Sequence, residues 1–179
     1  HIFRQVLRVI QLMVQHKVVS AELICIILLH DAIEDAEKGK TTPFLVTSNI
    51  QLLVGDLITR CVLSLTKNKD VHTRESYLLG IIANDNWLVL VAKPFDGEDN
   101  IKTLKSTNIA TQAMKVKEVL THYPAMRKRA IELLRKAGES GELSDVEQWV
   151  TLVRHIHRDV RHHALRQRHR LEAMNIKVV

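Results

Sequence analysis

The chain has 179 residues, of which 46% are hydrophobic and 26% charged, and it carries a formal net charge of +6. That length suffices for one domain with a sizeable core, or one domain with a helical appendage, and excludes two full domains; the composition excludes wholesale disorder. With 6 glycines, 3 prolines and 4% aromatic residues, turn formers and strand-favouring rings are too scarce for a β-rich fold, so an all-α architecture is expected.

Phe3, Val6, Leu7, Ile10, Met13 and Val14 recur at helical spacing and predict a first helix ending near His16 and Lys17. Ser20 reads as the N-cap of a second helix, from Ala21 to about Asp35, which Gly39 and Pro43 of "EKGKTTP" interrupt. These two helices form a hairpin. "FLVTSNIQLLVGDLITRCVLSLTK" predicts two short helices bending near Gly55, although its β-branched residues leave a strand reading open. "NKDVHT" reads as a mobile polar loop, and Glu75 to about Ala83 as a helix.

The apolar "WLVLVAK", Trp87 to Lys93, fits a buried strand and a core helix equally well. After Pro94 and "FDGEDNIKTL", a helix through Met114, Val116 and Val119 is expected to stop near Pro124. "AMRKRAIELLRKAGESGE" predicts a further helix ended by Gly138 and Gly141, which divide a domain over 1–138 from a helical extension over 139–179 packed on it. A final amphipathic helix runs from Ser144 almost to the last residue.

Cys25 and Cys61 lie in apolar helical patterns without a CxxC pair, which predicts buried reduced thiols and suits a cytoplasmic protein. The chain opens at His1 with no charged and apolar leader, which leaves room for a preceding segment. No apolar run approaches the ~18 to 20 residues that span a bilayer, so no membrane association is expected. The net charge favours anionic partners without choosing among them.

"RHIHRDVRHHALRQRHR", residues 154–170, gathers His155, His157, His162, His163 and His169 among arginines. Val153, Ile156, Val160, Ala164 and Leu171 form an apolar stripe through it, so a docked amphipathic helix with a solvated basic face is preferred to a metal tract or a nucleic-acid patch. Trp87 and Trp149 read as core anchors, and His16, His72 and His122 as surface or loop residues.

The stretch that carries chemistry is "ILLHDAIEDAEKGKTT", beginning at Ile27. On a helix, positions i and i+4 are neighbours, which sets His30 beside Glu34 and Asp31 beside Asp35. An imidazole and three carboxylates at one helix end suit a divalent cation held by nitrogen and oxygen ligands, with carboxylates left for acid–base work. The alternative is a solvated C-terminal turn, in which each carboxylate opposes the helix macrodipole by roughly 0.3 to 1 kcal/mol. A second constellation, "KPFDGEDNIKTL" from Lys93 to Leu104, delivers Asp96 with Asn100 one turn later.

Taken together, "QVLRV", "HDAIED", "LSLTK" ending at Lys67, and "KPFDGEDN" resemble, in order and rough spacing over about residues 1–135, the HD superfamily of metal-dependent phosphohydrolases. The likeness is greatest to the hydrolase domain of the RelA/SpoT alarmone enzymes and the small alarmone hydrolases. The resemblance implies an HD-domain helical bundle in which His30, Asp31 and Asp96 are ligands to manganese or another divalent metal. It makes Glu34 and Asp35 the pair that orients or activates the attacking water, and Asn100 a nucleotide contact. Lys93 matches a basic residue beside the site, with a salt bridge inside the fold as its competing role. The implied reaction is hydrolytic removal of the 3′-pyrophosphate of guanosine tetra- or pentaphosphate in the stringent response. The implied partner is a guanosine nucleotide or a related phosphorylated small molecule, and not nucleic acid.

Three positions depart from the pattern. Counting back from Arg8 and Val9, the family's first-helix histidine corresponds to Gln5, with His1 one turn earlier as the other candidate ligand. If the hairpin turns near Val18, Gln5 and His30 each stand roughly a dozen residues from the turn and so at the same height, and His1 about 6 Å beyond. The family's Lys-Leu-Ala-Asp-Arg reads Lys93-Pro94-Phe95-Asp96-Gly97, which loses an arginine, and its Arg-Lys-Gly loop is not in this chain. These departures keep two alternatives open. One is a degenerate HD domain that binds nucleotide or a protein partner without turnover or metal; the other is an HD phosphatase or phosphodiesterase for another nucleotide.

Overall fold

A computed structural model describes residues 2–38, 42–68 and 70–178, with the side chains of residues 37 and 38 left undescribed. His1, Gly39 and part of "NKDVHT" therefore lie outside the described residues. Among those described the fold is all-α: α1 (Ile2–His16), α2 (Ala21–Leu29), α3 (Ala32–Lys38), α4 (Pro43–Leu65), α5 (Arg74–Ile82), α6 (Trp87–Lys102), α7 (Ile109–Glu139) and α8 (Val146–Ala173), with a 3₁₀ turn at Leu104–Ser106.

The expected hairpin of α1 and α2 is present. Lys17 leaves α1 in the left-handed region (φ 57°), and the Val18 amide donates back to the Met13 carbonyl at 3.0 Å, the bond that closes a helix C-terminus. Ser20 caps α2 by accepting from the Leu23 amide at 3.0 Å. One difference matters for the site: the helix expected to reach Asp35 stops at Leu29 and restarts at Ala32. The His30 imidazole Nδ1 sits 2.8 Å from the Ile27 carbonyl, the acceptor that the Asp31 amide would use in an unbroken helix.

α4 bends where expected, at Gly55, whose φ of 82° and ψ of 176° occupy a region essentially confined to glycine. An 18-residue stretch of α4 has a mean hydropathy of 1.2 and is only 28% buried. By length and composition α4 therefore, contrary to expectation, meets the requirement for crossing a membrane, a test that core helices also pass.

"WLVLVAK" opens α6 as a helix, capped by Asn86, whose side chain accepts from the Leu88 amide at 2.9 Å. Its continuous apolar run has a simple cause. α6 packs against α1, α2, α4, α5, α7 and α8, so its first turns are buried on nearly every side and carry no polar face.

The chain does not stop at Pro124. α7, a single helix of 31 residues, runs through it to Glu139. A proline inside a helix costs one backbone hydrogen bond and a ring clash, about 3 kcal/mol. The stripe of Val116, Val119, Tyr123, Met126, Ala130, Leu134 and Ala137 is buried on both sides of the proline, and that packing overrides the break.

α8 docks its apolar stripe as expected: Val153, Ile156, Val160, Ala164 and Leu171 are all fully buried, against α7, α6 and α1. Trp87 and Trp149 pack with ring centroids 5.0 Å apart. Cys61 is buried and Cys25 half-buried, and both are free thiols. His122 is not the surface residue expected; it is buried, with Nε2 3.2 Å from Glu75.

Two glycines test the backbone argument. A Cβ on Gly55 or Gly80 would meet no atom within 4 Å, so neither change adds a clash, but only Gly55 has a positive φ. Gly55→Ala should lower stability by about 1 to 3 kcal/mol, and Gly80→Ala, inside α5, should raise it by roughly 0.5 to 1 kcal/mol. Urea unfolding followed by circular dichroism measures both.

Candidate functional site

The break between α2 and α3 lies against the middle of α6. Gln5 from α1, Ile27 and His30 from α2, Leu65 from α4, and Ala92, Lys93 and Asp96 from α6 line a cavity of about 10 Å³, room for one occupant the size of a water molecule or an ion. His30 Nε2 stands 3.2 Å from the Asp31 carboxylate and 3.8 Å from that of Asp96. Two carboxylates, one from the break between α2 and α3 and one from α6, thus face one imidazole nitrogen, while the other ring nitrogen is tied to the main chain. This arrangement fixes the orientation of the ring.

Asp96 is the hub. Its Oδ2 accepts from Lys93 Nζ at 2.7 Å and its Oδ1 from Asn100 Nδ2 at 2.6 Å. Lys93 is buried, with its ammonium 5.3 Å from the centre of the Tyr77 ring, and the Tyr77 hydroxyl donates to the Leu65 carbonyl.

The titration behaviour follows from this packing. Burial opposes the charged form of His30, but the adjacent carboxylates of Asp31 and Asp96 outweigh it and raise its pKa to about 10. Burial likewise opposes ionisation of Asp96, yet the Lys93 charge and the His30 contact hold its carboxyl well below the usual carboxylate range. Lys93 is held above its ordinary value, the Asp96 charge outweighing desolvation. The cluster is two cations and two carboxylates, electrically balanced in a low-dielectric setting.

Compared with protein-family models, curated proteins and solved structures, the chain matches none.

The expected residues do not all converge. Gln5, His30, Lys93 and Asp96 share the cavity, with Asp31 touching His30 and Asn100 touching Asp96. Glu34 is occupied elsewhere: its Oε1 accepts from the Lys67 amide at 2.8 Å and holds the end of α4 against α3. Asp35 is exposed on α3, and His1, the other candidate ligand of the first helix, lies outside the described residues.

Among the described residues, no three His, Cys, Asp or Glu side chains stand ready to enclose a metal ion; Asp31 and Asp96 each stand against His30 Nε2 itself. The donor types nevertheless fit a divalent ion: one oriented imidazole nitrogen, two carboxylates, and the buried amide of Gln5 as a neutral donor in reach of the same cavity.

Two features went unseen in the sequence. Gly97 stands where a larger residue was expected, and a Cβ there would lie 2.2 Å from the Tyr123 hydroxyl, so Tyr123 fills that space. A glycine in mid-helix was the available signal, marking close approach, but nothing pointed to Tyr123 as its neighbour. Arg8, matched only as part of "QVLRV", bridges Glu98 on α6, at 3.3 Å, and Asp159 on α8.

The hub predicts a stability pattern. Asp96→Ala leaves Lys93 buried without its counter-charge and should cost about 3 to 5 kcal/mol, whereas Lys93→Met combined with Asp96→Leu should recover most of that loss. Chemical denaturation of the wild type, Asp96→Ala and the double variant tests this; equal losses in both variants would refute it.

Proposed function

We propose that the chain is an HD-type phosphohydrolase domain that uses a divalent metal, manganese by family resemblance, to hydrolyse a phosphorylated small molecule such as guanosine tetraphosphate. One observation carries this reading. His30 Nε2 is aimed at Asp31 and Asp96 while Nδ1 is locked to the Ile27 carbonyl, the orientation a metal-ligating histidine needs.

His30, Asp31 and Asp96 would hold the metal, with the Gln5 amide beside them. When bound, such an ion polarises a phosphate oxygen and lowers the pKa of a water. The remaining residues act through the chain itself. Lys93 neutralises Asp96 and orients it, and Asn100 holds the second Asp96 oxygen in place. Asp31, half-buried at the break between α2 and α3, is the carboxylate of the cluster nearest to solvent. Glu34 positions the Lys67 segment rather than reaching the cavity. A cavity of about 10 Å³ admits an ion but not a nucleotide, so substrate binds across its mouth.

A second reading is favoured by two specific observations. Gln5 is only 2% exposed and stands where the family carries a histidine, and Lys93 already compensates Asp96. Both suit a domain that has given up turnover and binds a phosphorylated ligand without metal.

One series separates the two. With manganese present, the protein should release pyrophosphate from guanosine tetraphosphate, and Asp31→Ala should lower that rate at least ~100-fold while the fold survives. Gln5→His should tighten manganese binding by about 10-fold or more, as an imidazole replaces an amide. Release of no product by either the wild type or Gln5→His, together with measurable nucleotide binding, would establish the non-catalytic reading.

A further inference from the structure

A second feature lies on the opposite end of α1. The last turn of α1 meets a groove between α7 and α8, with a volume of about 1080 Å³. Arg127, Lys128 and Arg135 line one wall and Arg154 and Arg158 the other, against the single carboxylate Glu132. Glu132 is already engaged by Arg129 at 3.7 Å. An adjoining cavity of about 290 Å³ shares Pro124 and Arg127 and adds Arg161 and His157.

What distinguishes these cations is that most of them form no ion pair and that they converge on one concavity. Several arginines elsewhere are compensated, Arg4 by Asp99, Arg8 by Glu98 and Asp159, Arg74 by Glu118, Arg129 by Asp85 and Arg168 by Glu172, whereas Arg60, Arg166 and Arg170 form no ion pair among the described residues but do not line this groove. Among the described residues, Arg127, Lys128, Arg135, Arg154 and Arg161 form no ion pair, and Arg158 reaches only Asp159, at 3.7 Å, a carboxylate that Arg8 and His155 already share. Burial, His155 and Arg158 lower the pKa of His16; burial and Arg127 lower that of His157 to about 3. The buried Nε2 of His157 has no hydrogen-bond partner among the described residues.

We propose that this groove binds an oligophosphate group. Arg127 to Arg135 on α7 and Arg154 to Arg161 on α8 each span roughly 10 to 12 Å at ~1.5 Å per residue, a length that engages several linked phosphates with guanidinium groups from both walls. The only rings lining the main groove are those of His16 and His155, whose edge-to-face contact at 5.1 Å offers no flat platform for a base. That disfavours single-stranded nucleic acid, which relies on stacking. Gln5 and His16 lie eleven residues apart on α1, about 16 Å, so the groove is separate from the His30 and Asp96 cluster and does not rest on the metal-site reading.

The probe is inorganic tripolyphosphate, titrated calorimetrically into the full chain at low and raised salt. One saturable site per chain is expected, weakening as salt rises. Arg127→Glu with Arg154→Glu should weaken it at least about tenfold at unchanged melting temperature, since each lost guanidinium contact is worth roughly a factor of ten. Arg127→Gln with Arg154→Gln should weaken it less, and covers the case in which charge reversal disturbs the fold. Asp31→Ala should leave it unchanged. Guanosine tetraphosphate titrated into Asp31→Ala distinguishes a free phosphate chain from one carried by a nucleotide: a loss on charge reversal parallel to that of tripolyphosphate assigns the nucleotide's phosphates to the groove, and binding only of tripolyphosphate assigns a free chain. Non-saturating binding, binding that survives both double variants, or a short RNA bound more than tenfold tighter than tripolyphosphate would overturn the proposal.

Discussion

The structure depends on one buried ion pair. Lys93 and Asp96 sit one turn apart on a helix covered on nearly every side, at 2.7 Å, and their charges cannot be solvated where they stand. Every neighbour is arranged around that constraint. Asn100 fills the second oxygen of Asp96, Tyr77 lies under the ammonium, and His30 turns its Nε2 toward the same carboxylate. Because His30 belongs to α2 and the pair to α6, satisfying the charges also fixes how these helices cross. Such pairs contribute more to specifying one arrangement than to net stability, and breaking one side is costly.

The same group then carries two roles. Asp96 anchors the core through Lys93 and lines the cavity. For this reason Asp31, half-buried at the break between α2 and α3, is the better position for probing chemistry, and Asp96 for probing stability. The break itself is part of the device. An uninterrupted helix would satisfy Ile27 with the Asp31 amide; diverting that carbonyl to the imidazole orients His30 and opens the turn.

Charge is distributed unevenly over the rest of the fold. The carboxylates Glu98, Asp99 and Asp159 are drawn inward, where Arg4, Arg8 and Lys102 tie α1, α6 and α8 together. Those pairs consume the acidic residues near the bundle axis. The arginines of the groove between α7 and α8 are left uncompensated on the outer side, and a positive concavity results from a net charge that composition alone reports only as a sum.

Much of the fold is legible residue by residue. Ser20 marks a helix start because its side chain can satisfy an amide left over at the N-terminus. Gly55 marks a bend because only glycine tolerates that backbone, and the stripe from Val153 to Leu171 repeats at the helical period and is buried. Spacing likewise sufficed to set Gln5 level with His30. These are local rules, in which the partner of each group is a few residues away or on the facing helix of a hairpin.

Where the partner is distant, the sequence was silent. Pro124 reads as a stop until the packing of α7 on α6 and α8 outweighs the lost hydrogen bond. "WLVLVAK" stays ambiguous until the helices around it are present, Gly97 is small because Tyr123 arrives from α7, and His122 is buried where α5 packs on α7. The sequence by itself determined an all-α chain, its turns and caps, and the residue types gathered around His30. Only the tertiary structure decided which carboxylates face the cavity, that Glu34 serves a neighbouring segment, and which arginines go unpaired, because charge compensation depends on distances between helices that no local pattern encodes.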